Sequence, residues 1–131
     1  MTKNLHLTET EHLCCTMHVL TGSVVRNNII LLLLFTSATA FGKGVYFARD
    51  WTYSAHHKYS PPNKQGFKFI YQARVLSGEF GLGREEDIDV PLKPNETTKR
   101  YDSVVDNVKD PSIFVVFRDT QVYPEYLITF M

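Results

Sequence analysis

The chain has 131 residues, a length that suits one domain with a modest hydrophobic core. Its 14 basic and 14 acidic side chains cancel, so no overall charge attracts nucleic acid or an anionic membrane. The adjacent Cys14 and Cys15 cannot link distant segments or supply a zinc set. These properties predict an intracellular globular domain, or a piece of one. They predict no metal site and no nucleic-acid or membrane partner.

An apolar run at residues 29–35 is the main feature of the N-terminal third. It follows Arg26 and precedes Ala-Thr-Ala at residues 38–40, an order that imitates a secretory signal. However, Glu9 and Glu11 lie upstream, and seven apolar residues are far fewer than the roughly 20 that span a bilayer. We therefore favour a buried strand or helix segment, with a secreted or membrane-tethered protein as the weaker alternative.

A strand and a helix are predicted next. Gly42 and Gly44 open a short strand over residues 45–48. Asp50 is a suitable N-cap for a helix that reaches about Tyr59, where the following prolines end it. Trp51, in the first turn of that helix, could cover the stacked site, and packing against the neighbouring strand is the favoured alternative.

The next segment alternates between apolar and polar residues and predicts a half-buried strand over residues 67–76. Its apolar face contains Phe67, Phe69, Tyr71, Ala73 and Val75. Gly78 ends this strand, and Gly81 and Gly83 predict a loop after it. Residues 84–110 are polar and predict a long functional or mobile loop.

Two apolar segments complete the chain. Residues 113–117 are typical of a central strand, and residues 122–130 predict a final strand that is entered through Pro124. The predicted order is strand, helix, strand, loop, strand, strand, without internal repeats.

The glycine-framed strand and the helix after it can form a slot for a flat ring that carries an amide. Tyr46 and Tyr59 could provide two stacking faces, and Ser54 a hydroxyl for the amide. Gly42 and Gly44 would let the backbone approach closely. From spacing alone, ordinary packing roles for these residues are the favoured alternative.

Several motifs add a family resemblance. They are ATAFGKGVYFA at residues 38–48, YSA at 53–55, ARVLSG at 73–78, YDS at 101–103, PSIFV at 111–115 and QVYPEYLI at 121–128. Residues 38–130 resemble the C-terminal half of a PARP catalytic domain of the mono-ADP-ribosylating branch. The resemblance implies an α+β, ADP-ribosyltransferase-like fold of mainly antiparallel strands, with a short helix after the Gly-Lys-Gly strand and a truncated upstream part. It also implies a divergent or non-homologous segment at residues 1–36 and a PARP part at residues 37–131.

The same resemblance implies roles for individual residues. Tyr46 is similar to the tyrosine of the family's His-Tyr-Glu triad, and Tyr59 to a second tyrosine that stacks on nicotinamide. Ser54 matches the serine that hydrogen-bonds the carboxamide of NAD. Ile113 occupies the third triad position, where polymerising members have a glutamate. Glu125 lies in the last strand and is interpreted as a surface or strand-pairing carboxylate rather than its substitute.

The implied function is an NAD-dependent protein mono-ADP-ribosyltransferase of the nucleus or cytoplasm. It would transfer ADP-ribose from NAD to a protein acceptor and release nicotinamide, with residues 84–110 near the acceptor.

The first triad position is where the chain departs from the family. Counting back from Tyr46 without a gap places Cys14 at the triad histidine and Cys15 at the glycine that follows it. A cysteine is a small, weak hydrogen-bond partner. The chain is therefore interpreted as a truncated or divergent copy. The alternative function is a catalytically silent PARP-like fragment or a binding module.

Overall fold

A computed structural model of the chain describes the backbone of residues 10–15 and all of residues 40–131. The apolar run at residues 29–35 lies outside the described residues. The strands are β1 (Thr10–Cys15), β2 (Val45–Ala48), β3 (Lys68–Leu76), β4 (Phe80–Leu82), β5 (Ser103–Val105), β6 (Ile113–Val116) and β7 (Val122–Phe130). Helix α1 spans Trp51–Ser54, and a 3-10 turn at Asp119–Gln121 precedes β7.

The seven described strands form one sheet in the order β4-β5-β6-β2-β1-β3-β7. Neighbouring strands are antiparallel throughout, except that β4 and β5 are parallel. The predicted α+β fold of mainly antiparallel strands, with a short helix after β2, is confirmed. Strands β2, β6 and β7 lie where the sequence predicts them.

The core occupies both faces of the sheet at β6, where all four residues are buried. Because successive residues of a strand point to opposite faces, β6 contributes to two apolar clusters. The first contains Phe47, Ala73, Val75, Val105, Phe114 and Val116. The second contains Ala48, Val90, Val104, Ile113 and Val115. This double burial agrees with the central strand that the unbroken apolar run predicts.

Helix α1 is shorter than predicted, although its start is correct. The carboxylate of Asp50 accepts a hydrogen bond from the Thr52 amide at 3.0 Å, as an N-cap does. The helix ends at Ser54 rather than Tyr59, and turns follow it. A helix of this length has little stability of its own, and a proline disfavours helical geometry in the residue before it. Trp51 is 57% exposed, so the prediction that it packs against a strand is wrong.

Strands β4 and β5 lie in segments that the sequence predicts as loops. Gly81 is part of β4 and not a loop residue. A Cβ at this position would lie 2.6 Å from the Tyr101 ring. The glycine instead allows β4 to pack beneath that ring. β4 and β5 then pair in parallel, with Phe80 opposite Ser103. Local patterns cannot show such a long-range pairing.

A bulge in β7 explains the position of Glu125. On β3, Gln72 is opposite Tyr126 and Ala73 is opposite Pro124, so Glu125 is the extra residue. Its carboxylate contacts the Nε atom of Arg74 at 2.5 Å. This ion pair between strands confirms that Glu125 is a strand-pairing carboxylate.

The core makes a direct prediction about stability. Phe114 is 2% exposed and packs edge-on against Phe80, with ring centroids 5.9 Å apart. Phe114→Ala should lower the free energy of unfolding in urea by about 3–5 kcal/mol. The control Ile88→Ala, at a residue that is 77% exposed, should change it by less than about 0.5 kcal/mol. Equal effects of the two substitutions would contradict the described core.

Candidate functional site

A cleft of about 570 Å³ opens where β2 ends and β6 begins, next to α1. Its volume is within the range of about 300–1,000 Å³ that is usual for small-molecule sites. The lining residues are Asp50, Thr52, Tyr53, His56, Lys58, Tyr59, Asp106, Ser112 and Ile113. The cleft thus combines aromatic rings, one buried aliphatic side chain and a few polar groups.

Two tyrosines form the aromatic wall of the cleft. The rings of Tyr53 and Tyr59 are stacked, with centroids 4.9 Å apart and planes inclined by 22°. Their hydroxyl oxygens are 2.9 Å apart and share a hydrogen bond. Burial, the Tyr59 hydrogen bond and the nearby charges of Tyr59, Asp106 and Tyr46 raise the pKa of Tyr53 to about 12. The hydroxyl of Tyr53 therefore stays protonated at physiological pH.

Ile113 forms the apolar side of the cleft, and Asp106 holds its backbone. Asp106 Oδ1 accepts hydrogen bonds from the amides of Ile113 and Ser112, each at 3.0 Å. Asp106 Oδ2 accepts another from the Ser112 hydroxyl at 3.2 Å. Burial raises the pKa of Asp106, but the hydrogen bonds from Ile113, Ser112 and Asn107 outweigh it and lower the pKa below its ordinary value. The ionised carboxylate thereby fixes the start of β6.

Tyr46 lies beside the cleft rather than in its lining. It is opposite Val115 on β6, and the alternation of strands puts it on the same face as Ile113. Its hydroxyl donates to the Gly42 carbonyl at 2.5 Å and accepts from the Phe41 amide at 3.1 Å. Burial raises the pKa of Tyr46, the Phe41 hydrogen bond lowers it, and the charge of Glu85 adds to the increase. The hydroxyl therefore closes the turn before β2.

The structure brings together some of the six predicted site residues and separates others. Tyr59 and Ile113 line one cleft. Ser54 is 1% exposed and is not in that lining. Gly42 and Gly44 lie at the opposite end of β2.

The two glycines have a packing reason of their own. A Cβ on Gly44 would lie 2.6 Å from the Val116 carbonyl oxygen, and Gly42 has a φ of +113°. Their predicted contribution to cofactor binding remains a prediction.

Strand β1 lies next to this site. It runs between β2 and β3, and its backbone register sets Cys14 opposite Ala48 and Cys15 opposite Tyr71. The strand that carries the two cysteines is therefore a direct neighbour of the strand that carries Tyr46.

The described part of the chain contains no group of three or more side chains that could hold a metal ion. Within the same residues, no helix is both long and apolar enough to cross a membrane.

Tyr53, Asp106 and Ser112 are among the lining residues that were assigned no role from the sequence. For Tyr53, the available signal was a second tyrosine six positions before Tyr59, although a turn is needed to bring the rings together. For Asp106, the signal was an acidic residue between two apolar segments, since aspartate often organises turns.

The hydrogen bonds that Asp106 accepts at the start of β6 predict how the stability of the fold depends on pH. The pKa of Asp106 in the folded protein is below its ordinary value of 3.8. Its contribution to the free energy of unfolding is therefore present above pH 3.8 and is lost as the pH falls through the pKa of the folded protein. Asp106→Asn should lower stability at pH 7 and reduce the loss of stability between about pH 5 and pH 2. Glu86→Gln, an exposed control, should retain the wild-type pH profile. Urea unfolding at several pH values measures these profiles. Identical dependence of stability on pH for wild type and Asp106→Asn would contradict the proposed role of the Asp106 hydrogen bonds.

Comparison with known proteins identifies the family of this site. The family model for the poly(ADP-ribose) polymerase (PARP) catalytic domain matches residues 24–131. Human protein mono-ADP-ribosyltransferase PARP14 is 50% identical over 95 residues, which are 72% of this chain and 5% of that protein. Mouse PARP10, another mono-ADP-ribosyltransferase, is 44% identical over 93 residues, which are 71% of this chain and 10% of that protein. Human PARP12, also a mono-ADP-ribosyltransferase, is 40% identical over 115 residues, which are 88% of this chain and 16% of that protein. The chain thus spans only a small part of the length of these relatives.

A solved structure has the same fold. The PARP domain of Arabidopsis RADICAL-INDUCED CELL DEATH1 superposes with a TM-score of 0.70 at 18% identity, covering 92% of this chain and 67% of that one. The family uses NAD as the donor of ADP-ribose. On the match across residues 24–131, this chain belongs to the PARP catalytic-domain family.

Proposed function

We propose that this chain is part of a protein mono-ADP-ribosyltransferase that binds the nicotinamide end of NAD in the cleft. It transfers one ADP-ribose unit to a protein side chain and releases nicotinamide. The observation that carries the proposal is that Tyr59 and Ile113 line the same cleft. Tyr59 is the proposed stacking ring, and Ile113 is the apolar residue proposed for the third triad position.

The aromatic wall supports binding of a flat aromatic ring. Offset stacking on a tyrosine contributes about 0.5–1.5 kcal/mol beyond the burial of apolar area. Tyr59 is the stacking ring in this proposal, and Tyr46 provides a second aromatic face beside the cleft. Ser54, the last residue of α1, is the proposed hydrogen-bond partner of the carboxamide.

Ile113 supports the transfer of a single unit. A carboxylate at this position could accept a hydrogen bond from a sugar hydroxyl and prepare it for chain elongation. An aliphatic side chain that is 7% exposed has no acceptor atom for that hydroxyl. The relatives named above are also mono-ADP-ribosyltransferases.

The proposed reaction needs no covalent intermediate on the protein. The bond between the ribose C1′ atom and the nicotinamide nitrogen breaks, and the electron pair leaves with nicotinamide. The acceptor atom then bonds to C1′ of the oxocarbenium-like ribose and releases its proton to solvent. The site contributes by holding the ring and orienting the ribose, so that positioning and electrostatics carry the catalysis.

Residues 84–110 are the proposed acceptor-facing segment, including β5 within it. The neutral net charge gives no general attraction to nucleic acid or anionic membranes, which fits a protein acceptor. A location in the nucleus, the cytoplasm or both is part of this proposal.

A transfer assay with matched tyrosine variants tests the proposal. Tyr59→Ala should reduce incorporation of labelled ADP-ribose from NAD by about tenfold or more, because it removes both stacking and apolar burial. Tyr123→Ala is the control, since Tyr123 is 68% exposed on β7, and should leave incorporation unchanged. Intact-mass measurement should show single ADP-ribose additions. Chains of several units, or equal activity in the two variants, would contradict the proposal.

A catalytically silent fragment is the second candidate, and the position of β1 favours it. The cysteines at the proposed histidine and glycine positions lie on the strand beside β2. A lost hydrogen bond in a buried cofactor slot costs about 1–3 kcal/mol. In this alternative, residues 1–36 are a divergent segment that leaves the site incomplete.

Restoring the two residues discriminates between these candidates. The double variant Cys14→His, Cys15→Gly should bind NAD about 5 to 150 times more tightly than wild type if β1 carries the first triad position. The control Cys14→Ala, Cys15→Gly removes the thiol without adding an imidazole and should give no such gain. Equal affinity of the two double variants, measured by calorimetric titration, would show that β1 does not carry that position.

A further inference from the structure

Tyr59 lies in the turns that follow α1, next to Ser60, whose hydroxyl exchanges hydrogen bonds with the backbone of Phe69 on β3. Helix α1 ends at Ser54, and turns connect it to Tyr59. In this segment, the Tyr59 amide donates to the His56 carbonyl at 2.9 Å, a turn bond rather than a continuous helical ladder. These hydrogen bonds hold the backbone at Tyr59, and the side chains that contact its ring hold the ring itself.

Tyr53 contacts both the ring and the hydroxyl group of Tyr59. The stacked rings, 4.9 Å apart and inclined by 22°, restrict the tilt of the Tyr59 ring. The shared hydrogen bond of 2.9 Å between the hydroxyl oxygens fixes the far end of the ring. Tyr53 itself stands on α1, one of the regular elements next to the cleft.

The other described ring and cation near Tyr59 hold it less closely. The His56 ring lies 6.3 Å away and is tilted by 58°, and the Lys58 ammonium is 5.4 Å from the Tyr59 centroid. Both residues belong to the same turn segment, and both are exposed. Neither provides an anchor on a separate element.

We infer that Tyr53 is a positioning residue, which holds the Tyr59 ring in the orientation that stacks on a planar aromatic amide. The inference rests on the proposed function and adds to it a residue that acts through its contacts with Tyr59. A side chain that is already ordered loses less conformational freedom on binding, so affinity rises without an added contact to the ligand.

The hydrogen bond between the tyrosines is stable across the pH range of most experiments. The raised pKa of Tyr53, about 12, keeps its phenol protonated. The nearby charge of Asp106 opposes ionisation as well.

Calorimetric titration of the complete chain with benzamide, a planar aromatic amide, tests the inference. Tyr53→Ala removes the stack and the hydrogen bond and should weaken binding about tenfold. Tyr53→Phe retains the stack and should weaken it only about two- to threefold. Tyr123→Phe, at an exposed residue of β7, is the control and should bind like wild type. Rescue by phenylalanine is a readout that general loss of structure would not give.

Thermal unfolding of each variant shows whether the effect is local. Tyr53 is 46% exposed, so its substitution should leave the unfolding midpoint close to that of wild type. If Tyr53→Ala lowers the midpoint, Tyr53→Leu replaces it, because leucine keeps the apolar contact without a flat ring. Two results would overturn the inference but leave the proposed function standing. One is wild-type affinity for benzamide in Tyr53→Phe and also in Tyr53→Ala or Tyr53→Leu. The other is an equal loss of affinity in Tyr53→Phe and in the alanine or leucine variant. Failure of wild type to bind benzamide would overturn the proposed function and this inference with it.

Discussion

The antiparallel pairing of β2 with β6 is the constraint on which the site depends. Four residue pairs run from Val45 with Val116 to Ala48 with Ile113. The approach is so close at its start that a Cβ on Gly44 would meet the Val116 carbonyl oxygen at 2.6 Å. Because β6 is buried on both faces, a shift by one residue would exchange the two clusters that pack against it. The register therefore fixes Ile113 at the mouth of the cleft.

Two side-chain arrangements complete the cleft around that register, and each uses a different kind of interaction. On the β6 side, an ionised carboxylate at Asp106 accepts backbone hydrogen bonds and holds Ile113 in place. On the α1 side, Tyr53 and Tyr59 hold one another by stacking and by one hydroxyl hydrogen bond. Apolar and aromatic groups thus line the cleft together with the charged side chains of Asp50, Lys58 and Asp106.

Local sequence patterns predicted the parts of the fold that local physics determines. The buried runs of β2 and β6 and the N-cap at Asp50 needed only burial, alternation and capping. The end of α1 was wrong because Tyr59 reaches the cleft through turns, and β4 and β5 were missed because their pairing joins distant segments. At the site, a family resemblance identified Tyr59 and Ile113 from the sequence, and the structure places both at the cleft. The stack between Tyr53 and Tyr59 depends on how the turn folds back, which the spacing of two tyrosines does not determine.

Thermal unfolding of the complete chain with and without millimolar NAD tests the central claim most directly. A ligand that binds only the folded state stabilises it by RT ln(1 + [L]/Kd), or about 2.7 kcal/mol at a hundredfold excess over Kd. The account predicts one cooperative transition whose midpoint rises with NAD concentration. A cooperative transition that NAD does not move would contradict the claim that the cleft between Tyr59 and Ile113 is a binding site for this donor.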